Sequence, residues 1–285
     1  MRLSMSKLLI TSLLSSTLLN ASSIDSKIEN FFKSVIDGRN GLYKIKSIKV
    51  KDHKDLKEIP GWKVYFVDID LNMLKGPNKG NMMVHEKVFT NGKYIAKDFL
   101  GIDNHSSLKR EIAVDISDNS IYNKKHLIYG TGNEPHKIVA ISDPLCPFCQ
   151  DFMPKFLKDV KEHPGKVAVY YYHLPLERLH LASPTLSKLM LVAKAKGVKD
   201  VELKTYQNKD YFVTDEKDEE KTIRAFNQVM GTKITKEEIH KPNIEAELKE
   251  DKKYIDELMI SGTPTIYLDG KKDASRVKYK SILGI

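Results

Sequence analysis

The sequence has only two cysteines among its 285 residues. That number rules out a disulfide framework of the kind that holds small secreted domains together. It also rules out a zinc site built from cysteine alone, which needs about four ligands. His136, His163 and His173 could add ligands, but none stands at a spacing such as H-x₃₋₅-H. No segment is apolar for long enough to read as a membrane-spanning helix, since the longest run, Leu8 to Leu19, is interrupted by Ser and Thr. No block of like charge is present either. The formal charge of +9 comes from lysines spread along the chain, and segments such as Asp215 to Lys221 mix both signs. This pattern describes a solvated lysine-rich surface, so no nucleic acid is expected as a partner.

The two cysteines are two residues apart, in Asp143-Pro144-Leu145-Cys146-Pro147-Phe148-Cys149. An apolar run precedes them (Ile138, Val139, Ala140, Ile141) and a helical pattern follows (Phe148, Phe152, Phe156, Val160). A strand that delivers Cys146 onto the first turn of a helix places its sulfur where unpaired N–H groups and the helix dipole favour negative charge. The thiolate is the nucleophile in disulfide exchange, so this placement activates Cys146. Cys149, one turn on, is placed to close a disulfide or to resolve a mixed one. A structural disulfide here would close almost no loop and stabilise little. Redox chemistry is therefore preferred over zinc or a structural bridge. No cofactor is expected beyond the Cys146–Cys149 pair, and no metal.

The N-terminus reads as a signal peptide over residues 1–21. Arg2 and Lys7 are basic, Leu8 to Leu19 is apolar, and Ala21, Ser22 and Ser23 are small. Loss of Arg2 and Lys7 with it lowers the formal charge from +9 to +7. Export suits a pair of redox cysteines, because disulfides persist outside the reducing cytosol. The expected location is periplasmic.

The mature length suggests two domains. Residues 24–37 have apolar positions at helical spacing (Ile24, Ile28, Phe31, Phe32, Val35, Ile36). Strand-like segments follow at Leu42 to Val50 and Trp62 to Leu71, then a hairpin at Val84 to Ile95 around Asn91-Gly92. Residues 24–100 are thus expected to form a small α+β module of one helix and an antiparallel sheet. The module has no cysteine and no cluster of His and acids, so dimerisation is its expected role. Residues 101–123 are polar and turn-rich and read as a linker. From residue 124 on, strand Lys137 to Ser142, the cysteine helix and strand Lys166 to Leu174 precede a helical block. Thr235 to Glu238 is a capping-box pattern. Then come Ser261-Gly262-Thr263-Pro264-Thr265, a short strand Ile266 to Leu268 and a turn at Asp269-Gly270.

This order resembles the thioredoxin fold with a helical insertion at about 175–259, and the resemblance spans 124–285. Cys146-Pro147-Phe148-Cys149 and Thr263-Pro264 carry it. With the N-terminal module, cystatin-like in its helix-plus-sheet make-up, the whole chain resembles the periplasmic thiol:disulfide interchange proteins of the dimeric Dsb isomerase type. The resemblance implies Cys146 and Cys149 as catalytic residues, with Pro147, Phe148, Thr263 and Pro264 in support. It also implies a cis Thr263–Pro264 bond facing the sulfurs, a homodimer, a membrane redox partner, and unfolded or misoxidised exported proteins as substrates. Asp143 is assigned no role, because an acid at the end of a strand is commonly solvated. Phe148 either offers apolar surface to substrates or packs on the insertion. The competing functions are a dedicated thiol reductase, as in cytochrome c maturation, and a holdase chaperone.

Overall fold

The computed structural model describes residues 10–37, 41–75, 79–103, 105–212 and 217–285, with side chains described from Ile24 onward. The chain divides into two compact units, Met1–Lys109 and Arg110–Ile285.

The first unit starts with helix α1 (Ile10–Asp37). The expected signal peptide lies partly outside the described residues, at 1–9; its remainder is the first half of this helix. Among the described residues no helix is long and apolar enough to cross a membrane. Strands β1 (Tyr43–Asp55), β2 (Lys63–Met73), β3 (Gly80–Thr90) and β4 (Ile95–Ala96) follow and pair in that order as an antiparallel meander. Alternation along β2 puts Tyr65, Val67, Ile69 and Leu71 on one face, where they pack with Ile28 and Phe32 of α1. Irregularities in β1 between Ile45 and Ser47 and between Val50 and Asp52 bend the strand. The β3–β4 turn forms at Asn91-Gly92, where the Asn91 side chain accepts from the backbone N–H groups of Lys93 and Tyr94.

A short helix, α2 (Leu108–Glu111), leads on. Residues 110–123, the second half of the expected linker, are bound into the second unit. Val114 N–H donates to Leu258 O at 3.3 Å, Ile116 N–H to Gly270 O at 2.8 Å, and Tyr267 OH to Val114 O at 3.0 Å.

The second unit contains β5 (Leu127–Tyr129), β6 (His136–Ser142), α3 (Pro147–Glu162) and β7 (Val167–His173). An insertion of helices follows: α4 (Ser183–Ala195), α5 (Val201–Gln207), α6 (Glu219–Met230), α7 (Lys236–Ile239) and α8 (Pro242–Glu257). The chain ends with β8 (Thr265–Leu268), β9 (Lys271–Lys272) and α9 (Lys278–Leu283). The sheet order is β5-β7-β6-β8-β9. β6 and β7 are parallel, and β8 runs antiparallel to β6. This is a thioredoxin-like α/β domain with a helical insertion. Every residue of β7 is buried, as a central strand covered on both faces requires. The core joins Met153, Phe156 and Leu157 of α3 to Tyr171 of β7 and to Leu186, Leu189 and Phe226 of the insertion. The capping box forms at the start of α7 as its sequence indicated, with Thr235 and Glu238 bonding each other's backbone. α3 runs through Pro154 without ending.

Candidate active site

β6 ends at Ser142, and a tight turn places Cys146 as the N-cap of α3 with extended backbone (φ −69°, ψ 123°). Cys146 N–H donates to Asp143 O at 3.2 Å, while Cys146 O accepts from Cys149 N–H and Gln150 N–H, each at 2.9 Å. Pro147 occupies the first helical turn, where its missing N–H would have had no helical partner. Both cysteines are free thiols. Cys146 exposes only 5% of its surface and Cys149 none.

The antiparallel pairing of β8 with β6 brings in the other half of the site. Ile141 stands opposite Thr265, which sets the preceding loop across from the helix terminus. The Thr263–Pro264 bond is cis. Thr263 O lies 3.7 Å from Cys146 Sγ, within reach of the thiol as donor. Thr265 Oγ1 donates to Gly262 O at 2.8 Å and pins the loop. Thr263 Oγ1 is buried and has no hydrogen-bond partner of normal geometry. It lies near both sulfurs and lowers the pKa of each.

The two thiols are electrostatically unlike. The Cys146 thiol is held far below its ordinary range, to about 5. The largest cause is a hydrogen bond from the Cys149 thiol; burial opposes it, and Thr263 and the N–H groups of Cys149 and Phe148 add to it. Cys149 moves the other way. Burial is the first cause and the hydrogen bond to Cys146 the next, and the thiol is pushed well above the ordinary range. At neutral pH the pair therefore holds a thiolate at Cys146 and a proton on Cys149. Such an arrangement attacks a disulfide with the outer sulfur and keeps the inner one in reserve.

Asp143 departs from the sequence expectation. It is fully buried rather than solvated. Its Oδ1 accepts from Leu145 N–H at 2.8 Å and from Ser183 Oγ at 2.6 Å. Its Oδ2 accepts from Leu176 N–H at 2.8 Å and pairs with His180 Nδ1 at 3.0 Å. This carboxylate ties the cysteine turn to the loop between β7 and α4. The sequence held no signal for it, because three of its four partners, Leu176, His180 and Ser183, stand more than thirty residues away. Phe148 is 70% exposed. Leu179 of the tethered loop is likewise exposed. Below the site, His173 is buried, and burial lowers its pKa to about 3, so the imidazole is neutral. Among the described residues no three His, Cys, Asp or Glu side chains converge as a metal ion would need.

Residues 122–285 match the family model described as Thioredoxin. Among solved structures, the chain is similar to a thioredoxin-like oxidoreductase from Silicibacter pomeroyi DSS-3. The identity is 18%, with 58% of this chain and 96% of that one covered at a TM-score of 0.47. It is similar to BdbD from Bacillus subtilis at 20% identity, covering 61% and 99% of the two chains at a TM-score of 0.46. A third similar structure is a periplasmic thioredoxin-like protein from Salmonella enterica serovar Typhimurium, at 17% identity, 59% and 98% coverage and a TM-score of 0.46. No curated protein matches the chain.

Proposed function

Because this chain belongs to the thioredoxin family and is a thiol:disulfide oxidoreductase, we propose that it rearranges the disulfides of exported proteins. Cys146 attacks a substrate disulfide, and Cys149 resolves the mixed disulfide that results. The observation that carries this reading is the opposite displacement of the two thiols, with Cys146 acidic at the helix terminus and Cys149 buried and protonated. The Thr263 carbonyl faces the sulfur from the cis Thr263–Pro264 loop, and Pro147 stands in the first turn of α3.

Three features favour isomerisation over plain oxidation. Pro147 and Phe148 place no cation between the sulfurs, which keeps the couple less oxidising than one with a charged residue there. Exposed Phe148 offers apolar surface to an unfolded chain. A separate N-terminal unit without redox residues suits a symmetric dimer, in which two Cys146 sites serve one substrate. In this reading the protein is periplasmic, a homodimer, and kept reduced by a membrane redox partner.

The test is reactivation of a scrambled ribonuclease by the reduced protein. Isomerase activity restores enzyme function without added oxidant, and Cys146→Ser abolishes it. Failure on the scrambled substrate, with efficient oxidation of the reduced one, would assign an oxidase instead. Retained anti-aggregation activity in a Cys146→Ala, Cys149→Ala variant would assign a holdase. Alkylation trapping in cells adds the resting state: a reduced pair supports isomerase or reductase, an oxidised pair supports oxidase.

A further inference from the structure

A cavity of about 210 Å³ opens beside the Thr263–Pro264 loop. Thr263 and Pro264 line it together with Asp273 and Arg276, from the turn after β9. Thr263 belongs to two places at once: it lines the cavity, and its carbonyl oxygen faces the Cys146 sulfur at 3.7 Å. An extended chain advances only about 3.3 Å per residue. A substrate that pairs with that carbonyl therefore carries the residues next to its reacting cysteine past the cavity.

Arg276 is held in place yet carries no counter-charge. Its backbone is left-handed (φ 59°), a conformation that residues with a side chain rarely adopt and that persists only where neighbours hold it. Buried Asp273 does so. Its Oδ1 accepts from Ser275 N–H at 3.1 Å and from Ser275 Oγ at 2.6 Å, its Oδ2 from Lys278 N–H at 3.0 Å, and its carbonyl oxygen from Arg276 N–H at 3.2 Å. Both carboxylate oxygens are engaged within the turn, and neither pairs with Arg276. The guanidinium carbon instead lies 5.9 Å from the ring centre of Phe152. Phe152 stands on the cysteine helix four residues after Phe148, and so on the same face. Among the described residues no carboxylate forms an ion pair with Arg276. Arg110 and Lys272 line the cavity too, with Lys272 Nζ donating to Arg110 O at 3.0 Å. Three cations thus meet two acids there, Glu111 and Asp273.

We propose that Arg276 sets substrate specificity by taking the carboxylate of an acidic residue beside the reacting cysteine of the substrate chain. A guanidinium presents a planar fork of donors that one carboxylate engages with two bonds at once. Set over the Phe152 ring, the fork is oriented before the substrate arrives, so less side-chain freedom is lost on binding. The incoming carboxylate also offsets the surplus positive charge of the cavity. An amide or aliphatic side chain at the same position gains no such pairing. The two surfaces then differ in what they read: exposed Phe148 meets any apolar chain, and Arg276 selects among chains by charge.

The inference rests on Cys146 being the entering nucleophile. The test uses the reduced full-length protein and short unstructured peptides whose single cysteine is blocked as a 2-pyridyl disulfide, which has a neutral leaving group. The Cys146 thiolate attacks the peptide sulfur, and thiopyridone release gives the rate. Glu is placed in turn at each of the two positions on either side of the cysteine, with Gln and Lys peptides for comparison. At one position the Glu peptide should react about tenfold faster than its Gln counterpart, the size of one hydrogen bond to a charged group. Arg276→Gln should bring that ratio close to one, Arg276→Lys should keep part of it, and Arg276→Glu should invert the order in favour of Lys. Loss of the fold would slow all the peptides alike and would not invert their order. No preference at any position, or one that Arg276→Gln and Arg276→Glu leave as it was, would overturn the proposal. Failure of the underlying reading looks different. In that case Cys146→Ser releases thiopyridone from every peptide as fast as the wild type does, and the proposal falls with the reading.

Discussion

The Cys146 sulfur and the Thr263 carbonyl oxygen lie 3.7 Å apart although 117 residues separate them in sequence. The contact exists because β8 pairs with β6, the strand that delivers the cysteines. Once Cys146 is a thiolate it no longer donates to that oxygen. The carbonyl is then free to accept an N–H from an incoming extended chain, which would hold a substrate cysteine against the sulfur.

Thr263 should also tune the thiol directly. Its hydroxyl has no other partner and lowers the pKa of both cysteines. Thr263→Val should raise the Cys146 pKa by about one to two units, as expected for losing one hydrogen bond to a charged group. The rate of alkylation by iodoacetamide against pH measures it. An unchanged profile would remove Thr263 from the site's electrostatics.

Asp143 should matter more for the fold than its place beside a turn suggests. Asp143→Ala leaves two backbone N–H groups, a hydroxyl and His180 without their buried acceptor. The cost should be about 3 kcal/mol or more, with Asp143→Asn milder because it keeps one acceptor oxygen. Urea unfolding of the oxidised protein gives both values. A loss below about 0.5 kcal/mol for the alanine variant would contradict this role.

What the sequence made legible depended on distance along the chain. Cys146 and Cys149 stand within about a dozen residues of every feature that identified them: the apolar strand before, the helical pattern after, and the proline in the first turn. Thr263 and Pro264 were legible through their order in the fold, not through any local chemistry. Asp143 was illegible because its partners Leu176, His180 and Ser183 lie in the loop after β7 and at the start of α4, whose return to the cysteine turn no periodicity encodes. In the N-terminal unit the helix and the meander followed from apolar spacing. The short β5 was not anticipated, because three half-buried residues are too few to show an alternation.

Stability should depend on pH differently in the two redox states. The Cys146 pKa falls on folding, so the reduced protein gains stability that is fully present above the unfolded thiol pKa of about 8.5. This gain is lost as pH falls through the folded value of about 5. The oxidised protein has no such group. Thermal unfolding from pH 5 to pH 8 should therefore shift in favour of the reduced form as pH rises. A constant difference between the two forms would contradict it.

Phe148 should act on substrates and not on the fold. With 70% of its surface exposed, Phe148→Ser should change stability by less than about 0.5 kcal/mol. It should raise KM for an unfolded disulfide-containing chain while leaving alkylation of Cys146 by a small reagent unchanged. Equal loss toward both reagents would mean that Phe148 shapes the thiol instead.

The most direct measurement is a titration of thiolate absorbance in the reduced protein, with Cys149→Ser and Cys146→Ser variants assigning each sulfur. One thiolate should appear in the wild type near pH 5, borne by Cys146, while Cys149 stays protonated across the neutral range. A Cys149→Ala variant, which removes the Cys149 donor altogether, should raise the Cys146 value, yet leave it below the free-thiol value. A Cys146 pKa at or above about 8.5 in the wild type would contradict the account, since the helix terminus would then confer no nucleophile.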